Sequence, residues 1–320
     1  MSKPPEHSTT VPDINDTESV ALHDKRVLVT GGAGFIGSHL VSSLVETNDV
    51  VVLDDLSTGS EERVPAEAEL IEGDIRDLDT VSRAMSGVDV VFHEAAVVSV
   101  AESMTDPDRT HAVNVTGTVR MLEAARGQDA RVVLASSAAV YGHPESVPIA
   151  EDAPVEPTSP YGLSKSIGDQ SASLYADVYD LDVVALRYFN VYGPGQTGGD
   201  YSGVITVFFD QARSGGPLTV HGDGEQTRDF VHVRDVVQAN LLAAAEGEPG
   251  RVYNVGTGEA ITIRGLAELV RDTVGDSEVS IEHVSSRDGD IDRSRADIDR
   301  IASELGFDPS VTLADGLAEL

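Results

Sequence analysis

Arg26-Val27-Leu28-Val29-Thr30-Gly31-Gly32-Ala33-Gly34-Phe35-Ile36-Gly37 opens the ordered part of this 320-residue chain and decides how it folds. Its first five residues are a short apolar strand, glycines at 31, 34 and 37 form a turn, and a helix pattern follows from Phe35 to about Glu46. Val50 to Leu53 is a second strand, ending at Asp54, so the stretch reads as a βαβ unit. Glycines at Gly31, Gly34 and Gly37 let backbone approach a pyrophosphate, and the helix start at Phe35 and Ile36 offers N–H donors and positive potential to it. Asp54 closes the second strand, where a carboxylate accepts hydrogen bonds from a ribose diol and repels a 2′-phosphate. NAD rather than NADP is the expected cofactor. The other reading of Asp54-Asp55-Leu56-Ser57 is an acid capping a turn.

Outward from this unit the alternation continues. Strands are expected at Glu69 to Gly73, Val88 to His93, Arg131 to Ala135 and Val183 to Arg187, each apolar enough for a parallel sheet covered on both faces. Helices are expected between them, near Asp77 to Met85, Arg109 to Arg126 and Ser159 to Tyr179. Beyond Asn190 the chain turns to Gly- and Pro-rich loops, with strands near Leu218 to His221 and Val252 to Val255 and helices near Asp235 to Ala245 and Ile263 to Val274. The fold class is α/β: a doubly wound parallel sheet of Rossmann type with a smaller second lobe. We divide the chain into a tail over 1–24, an NAD-binding domain over 25–189 and a substrate lobe over 190–320, whose segments may interleave with the first domain. Gly73-Asp74-Ile75 ends the third strand where an adenine edge would lie, and His93-Glu94-Ala95-Ala96 ends the fourth with small residues, Ala95 and Ala96, that let backbone pass close to a cofactor.

A second signal lies in Tyr161-Gly162-Leu163-Ser164-Lys165. Eight tyrosines and three lysines (Lys3, Lys25, Lys165) in 320 residues put the chance expectation of this spacing at roughly 0.08 occurrences. On a helix the two side chains share a face, so the Lys165 ammonium is expected to favour ionised Tyr161 and lower a pKa that starts at about 10. A phenol so tuned exchanges protons with a sugar hydroxyl. The plain alternative is one turn of amphipathic helix with an exposed lysine.

Composition narrows the setting. Fifty-five acids against 22 bases give a net charge of −33, spread along the chain rather than gathered in a tail. Such a surface resembles that of salt-adapted proteins, where high ionic strength screens self-repulsion, against the plainer reading of an ordinary acidic enzyme, and it disfavours nucleic acid or anionic membrane as partners. There is no cysteine, which excludes disulfides and thiolate-bound metals, and no metal site is expected. Met1 to Asp24 carries no apolar stretch of signal-peptide type and no run is long enough to span a bilayer. A cytoplasmic protein is the expectation.

Thr30 to Gly37, His93-Glu94-Ala95-Ala96, Ser136-Ser137-Ala138-Ala139-Val140-Tyr141-Gly142, Pro160 to Lys165 and Arg187-Tyr188-Phe189-Asn190-Val191-Tyr192-Gly193 together resemble the extended short-chain dehydrogenase/reductase family. Within it the likeness is to the NAD-dependent sugar-nucleotide epimerases typified by UDP-glucose 4-epimerase. The resemblance implies a held NAD, hydride transfer at C4 of a nucleotide sugar, a transient 4-keto sugar and a homodimer. It implies Tyr161 as the acid/base, Lys165 as its partner and a nicotinamide-ribose contact, Ser137 as the hydroxyl on the sugar O4, and Asn114 as a helix asparagine near the cofactor. By its own position Ser137 also reads as a turn serine at a strand end. Relatives that dehydrate or decarboxylate resemble one another in placing an acid after the catalytic hydroxyl. Here Ala138 and Ala139 stand in that place, which favours simple epimerisation.

In the second lobe Gly222 to Val233 and Arg287-Asp288-Gly289-Asp290 resemble the segments whose arginines grip the diphosphate. Guanidinium forks suit phosphate oxygens, so Arg228 and Arg287 are the candidate clamp, against the plainer reading of Arg–carboxylate pairing, with Asn190 a further contact. Ser294 matches a position beside the sugar's C2 substituent, where a small side chain would admit an N-acetyl group. It equally suits an exposed serine before the helix expected at Asp297. The substrate is expected to be of UDP-glucose/UDP-galactose type, with N-acetylated or glucuronate forms open. The rivals are a reductase or dehydratase on the same scaffold and a non-catalytic NAD-binding sensor.

Overall fold

The computed structural model describes residues 22–196, 203–275, 279–286 and 289–320. Arg287, one of the two expected diphosphate arginines, and nearly all of the expected tail lie outside them. In chain order the first half runs β1 (Arg26–Thr30), α1 (Phe35–Leu44), β2 (Asp49–Asp54), β3 (Glu69–Glu72), α2 (Leu78–Ala84), β4 (Val90–His93), α3 (Val100–Thr105), α4 (Pro107–His111), α5 (Thr118–Gln128), β5 (Arg131–Ser137), α6 (Pro160–Tyr179) and β6 (Val183–Tyr188). The second half runs β7 (Asn190–Tyr192), α7 (Val204–Arg213), β8 (Leu218–His221), β9 (Thr227–Arg228), β10 (Phe230–His232), α8 (Val233–Glu246), β11 (Val252–Val255), β12 (Ile261–Thr262), α9 (Ile263–Val274), β13 (Ile281–Val284), α10 (Asp299–Leu305) and α11 (Leu313–Ala318).

Seven parallel strands form the main sheet in the order β11-β6-β5-β4-β1-β2-β3. Successive side chains of a strand face opposite ways. Val27 and Val29 of β1 therefore enter the core under α1 and α8, while Leu28 enters the core on the other face with Met121, Leu122 and Ala172. Both faces are covered, which is why these strands are continuously apolar. The chain winds one way from β1 through β2 to β3 and the other way from β4 onward, so the switch point lies between the C-terminal ends of β1 and β4.

Val252–Val255, expected beyond residue 190 with the second lobe, is the edge strand of the main sheet, paired in parallel with β6, and α8 packs on the sheet core through Val236, Ala239 and Leu242. Segments after residue 190 thus interleave with the first domain, the chain crossing back to the main sheet after β10. An apolar strand with a helix before it cannot announce from composition which of two cores it joins. The expected helix Arg109 to Arg126 is interrupted: Ala112–Gly117 forms a wider, π-helical turn. At this turn the Thr118 hydroxyl donates to the Asn114 carbonyl at 2.7 Å, and Gly117 packs against Ile75, where a Cβ would lie 2.5 Å from Ile75 Cδ1.

The second lobe has its own apolar core, including Tyr192, Phe208, Phe209, Phe230, Leu266 and Leu317. Around it the short pairs β7–β10, β9–β12 and β8–β13 tie the lobe together. The last helix, α11, closes it, with Leu317 fully buried.

Candidate active site

The glycine turn sits at the switch point. Gly31 has φ +70°, and a Cβ there would come within 2.7 Å of the Ala95 backbone nitrogen. A Cβ on Gly37 would run into the Gly31 carbonyl oxygen. These two glycines allow the loop to fold onto itself and onto the end of β4. Gly34 is different: its Cβ would meet only the Gly31 oxygen, at 3.1 Å, so the protein's own packing presses on it far less. No side chain caps α1, which leaves the first-turn N–H groups of Phe35 and Ile36 without a side-chain acceptor, as an anion site requires.

Asp54 is buried at the end of β2. Its two oxygens accept from the Ala33 N–H at 2.9 Å and the Leu56 N–H at 2.8 Å. Burial pushes its pKa up while these two N–H groups pull it down. Each carboxylate oxygen keeps a lone pair, so the donor set suits a ribose diol. Asp74 lies two residues past the end of β3, its carboxylate held by Arg76, the Nε at 2.9 Å, which keeps its pKa low. The Ile75 side chain is buried in the core rather than turned to the switch point. Asn114 is buried too: its amide donates to the Val97 carbonyl at 2.9 Å and the Ser164 hydroxyl at 3.0 Å and accepts from the Val97 N–H at 2.8 Å. Both N–H groups are committed to protein, so Asn114 ties the loop after β4, with Ala95 and Ala96, to α6.

Ser137, Tyr161 and Lys165 converge at the end of β5. Ser159 caps α6 by accepting from the Gly162 N–H at 3.1 Å, with Pro160 next to it. A Cβ at Gly162 would lie 2.5 Å from the Ala139 carbonyl oxygen. This close approach brings the start of α6 onto the turn after β5, so that the Ser137 hydroxyl acts on the Tyr161 phenol and pulls its pKa down. Ser137 Oγ also accepts from the Ala139 N–H at 3.1 Å. Lys165 is buried, donates to the Ala135 carbonyl at 2.8 Å, and has its Nζ 6.0 Å from the centre of the Tyr161 ring.

The expected lowering of the Tyr161 pKa is not found. Burial raises it, Ser137 pulls it down, and the Glu94 carboxylate raises it further. Lys165 is itself lowered, to about 8, by burial, against the pull of Glu94 and Asp169. Spacing along a helix correctly puts the two groups on one face. It does not tell that the ammonium is held by a strand carbonyl and that dehydration dominates the phenol.

Beyond the site lies a polar framework that sequence reasoning missed. Arg187 of β6 pairs with Asp169 of α6 at 2.8 Å, and donates to Tyr141 Oη at 2.8 Å. Tyr141 donates to Asn254 Oδ1 at 2.6 Å. Asp229 is fully buried and accepts from the Thr257 and Gly258 N–H groups at 2.8 and 3.0 Å, the Thr257 hydroxyl at 2.8 Å and the Ala296 N–H at 3.0 Å. Asn190 donates to the Asp229 carbonyl at 2.8 Å. Arg228 is half-buried, its guanidinium directed to the Ile291 carbonyl at 2.5 Å and to the Asp290 carboxylate. Ser294 is buried, its N–H on the Thr227 carbonyl at 3.1 Å. The structure thus brings Arg228 and Ser294 onto one seam between β9 and the 290–296 segment, apart from the cofactor cradle in sequence. Arg228 and Asp229 both sit in the Gly222-to-Val233 stretch, but nothing in it distinguishes a buried organising acid from an exposed one.

Comparison with known proteins agrees with this layout. Residues 27–256 match the NAD dependent epimerase/dehydratase family. The chain is 41% identical over 303 residues to UDP-glucose 4-epimerase of Mycolicibacterium smegmatis, covering 92% of this chain and 96% of that one. It is similar to UDP-N-acetylglucosamine 4-epimerase from Methanobrevibacter ruminantium, solved with UDP-N-acetylmuramic acid, at TM-score 0.89 and 35% identity over 93% of this chain and 97% of that one. It is likewise similar to the Thermus thermophilus UDP-glucose 4-epimerase solved with NAD, at TM-score 0.85 and 38% identity over 92% and 96%. A glycine cradle at the switch point, an acid at the end of β2 and a Ser–Tyr–Lys cluster at the end of β5, in a chain matched over most of its length, make this protein a member of the NAD dependent epimerase/dehydratase family.

Proposed function

We propose that this chain is an NAD-dependent 4-epimerase of a nucleotide sugar of UDP-glucose/UDP-galactose type, working through a 4-keto intermediate. The observation that carries the reading is the gathering of Ser137, Tyr161 and buried Lys165 at the end of β5, with Lys165 Nζ 6.0 Å from the Tyr161 ring centre, next to the cradle of Gly31, Gly34, Gly37 and Asp54. Bound NAD supplies the acceptor and then the donor of the C4 hydride. Tyr161 takes the C4 hydroxyl proton and returns it, and Ser137 holds the sugar O4. A phenol whose pKa is raised keeps its proton until a cation approaches, and is a strong base once it has lost it. Ala138 and Ala139 follow Ser137 in a short 3₁₀ turn and offer no carboxyl for elimination or decarboxylation.

In this reading Asp54 selects NAD over NADP. Arg228 exchanges Asp290 for the substrate diphosphate, with Arg287 and Asn190 assisting, and buried Ser294 leaves room for an N-acetyl group. The enzyme is cytoplasmic and salt-adapted: with a net charge of −33, its melting temperature rises from low into molar salt. Among the described residues no helix is long and apolar enough to cross a membrane. It forms a homodimer through α6, where Leu163, Leu174 and Val178 are 52%, 56% and 58% exposed along one helical face.

Purified protein incubated with a panel of UDP- and dTDP-sugars, with products resolved chromatographically, tests the reading. Interconversion of UDP-glucose and UDP-galactose is the expected result. A 4-keto-6-deoxy product would make it a dehydratase, and bound NAD without turnover on any sugar would make it a sensor.

A further inference from the structure

Glu94 is the one carboxylate at the end of β4, and nothing in the proton transfer just described uses it. Its Oε1 accepts from the Tyr188 hydroxyl at 2.7 Å, and Tyr188 is held from behind by the Asn240 amide at 2.8 Å. The Gly31 turn rests on the Glu94–Ala95 backbone. Glu94 therefore lies between the phosphate cradle on one side and the Tyr161/Lys165 pair on the other. A dinucleotide whose pyrophosphate is at Gly34 and whose reacting ring is at Tyr161 must pass this residue.

The groups around Glu94 are Lys165 and Tyr161, with Asp169 beyond them, from α6, Tyr188 from β6 and Asn240 from α8, while the ring of the neighbouring His93 is held by Thr30 and Thr118 instead. Of the two carboxylates that balance the Lys165 charge, Asp169 already serves Arg187. Glu94 is the other, and Lys165 is not hydrogen-bonded to it, its ammonium donating to the Ala135 carbonyl instead. Burial holds the Glu94 carboxyl up, to about 7, so its charge is available to change near neutral pH. An ionised carboxylate in a dry site favours a cationic neighbour over a neutral one by an amount that water would erase.

We infer that Glu94 reads the redox charge of the cofactor, its carboxylate favouring the cationic nicotinamide of NAD⁺ over the neutral dihydronicotinamide of NADH. It is a positioning and tuning residue, held by Tyr188 and Asn240, and rests on the NAD site proposed above.

The test is equilibrium binding of NAD⁺ and NADH to cofactor-stripped protein between pH 5.5 and 9, read as the ratio of the two dissociation constants. In wild type the preference for NAD⁺ over NADH rises with pH in two steps, one for Glu94 and one for Lys165. In Glu94→Gln the lower step disappears and NAD⁺ weakens by about tenfold against a nearly unchanged NADH. Glu94→Leu, which puts an apolar group of similar size where the carboxylate was and leaves Tyr188 bonded to Asn240, gives the same ratio and guards against a folding defect in the first variant. A ratio that is flat with pH in wild type, or equal in wild type and both variants, overturns the assignment while leaving the cofactor site intact. Failure of wild type to bind either form overturns the cofactor site itself.

Discussion

The region around the glycine turn and the region around Arg228, candidates for the cofactor and the substrate, are built in different ways. Around Gly31, Asp54, Tyr161 and Lys165 the important groups are placed by single short elements: a turn between β1 and α1, the last residue of β2, the first turns of α6. Around Arg228, Asn190 and Ser294 the placing is done by Asp229, a buried acid that gathers N–H groups from residues 257, 258 and 296. Local packing holds the first half. A long-range polar node holds the second, and a node fails as a unit when one member is removed.

The sharpest break is at the chemistry. Tyr161→Phe should lower turnover by about a thousandfold or more while NAD is retained, because only the proton-transfer group is lost. Single-turnover assays with cofactor extraction check it, and normal epimerisation by the variant would remove Tyr161 from its role.

The second break is at the node. Asp229→Ala leaves several buried donors without an acceptor and should cost about 3 to 5 kcal/mol in denaturant unfolding. Nucleotide-sugar binding should fall further than NAD binding, as read by calorimetry. Equal loss of both would mean that the two halves are not separately held.

A smaller effect separates the halves by pH. His232, fully buried beside Tyr192, has its pKa lowered to about 4, by burial first and then by Arg234 and His39. Unfolded histidine takes its proton below about 6.5, so the unfolded state binds more protons between those values and stability falls as pH drops through the window. His232→Gln should flatten the fall by at most about 3 kcal/mol, measured as melting temperature against pH. An unchanged slope would assign the loss elsewhere.

Smallest of all is the sugar pocket. Ser294→Tyr should reduce activity on UDP-N-acetylglucosamine more than on UDP-glucose, the added bulk costing about 1 to 3 kcal/mol. Equal loss on both sugars would take Ser294 out of the pocket.

Legibility follows the same division. The β1 turn, Asp54 and the Tyr161/Lys165 spacing were readable because each depends on residues within one or two elements. Arg228 is a candidate phosphate ligand only through resemblance, and the Asp290 carboxylate that holds it here belongs to a segment 62 residues away. In the His93-to-Ala96 stretch only the small residues carry a local signal; Glu94 does not, since burial of a carboxylate is not a local property.

What the sequence by itself determined is the set of strands and turns in the N-terminal half, because apolar runs, glycines at tight turns and a helix cap act over a few residues. Tertiary structure alone decided that β11 joins the main sheet, that Lys165 turns to the Ala135 carbonyl, and that burial rather than the lysine governs the charge of Tyr161. Those outcomes depend on which distant surfaces meet and on how much water they exclude, and dehydration energies belong to the packed whole rather than to any stretch of chain.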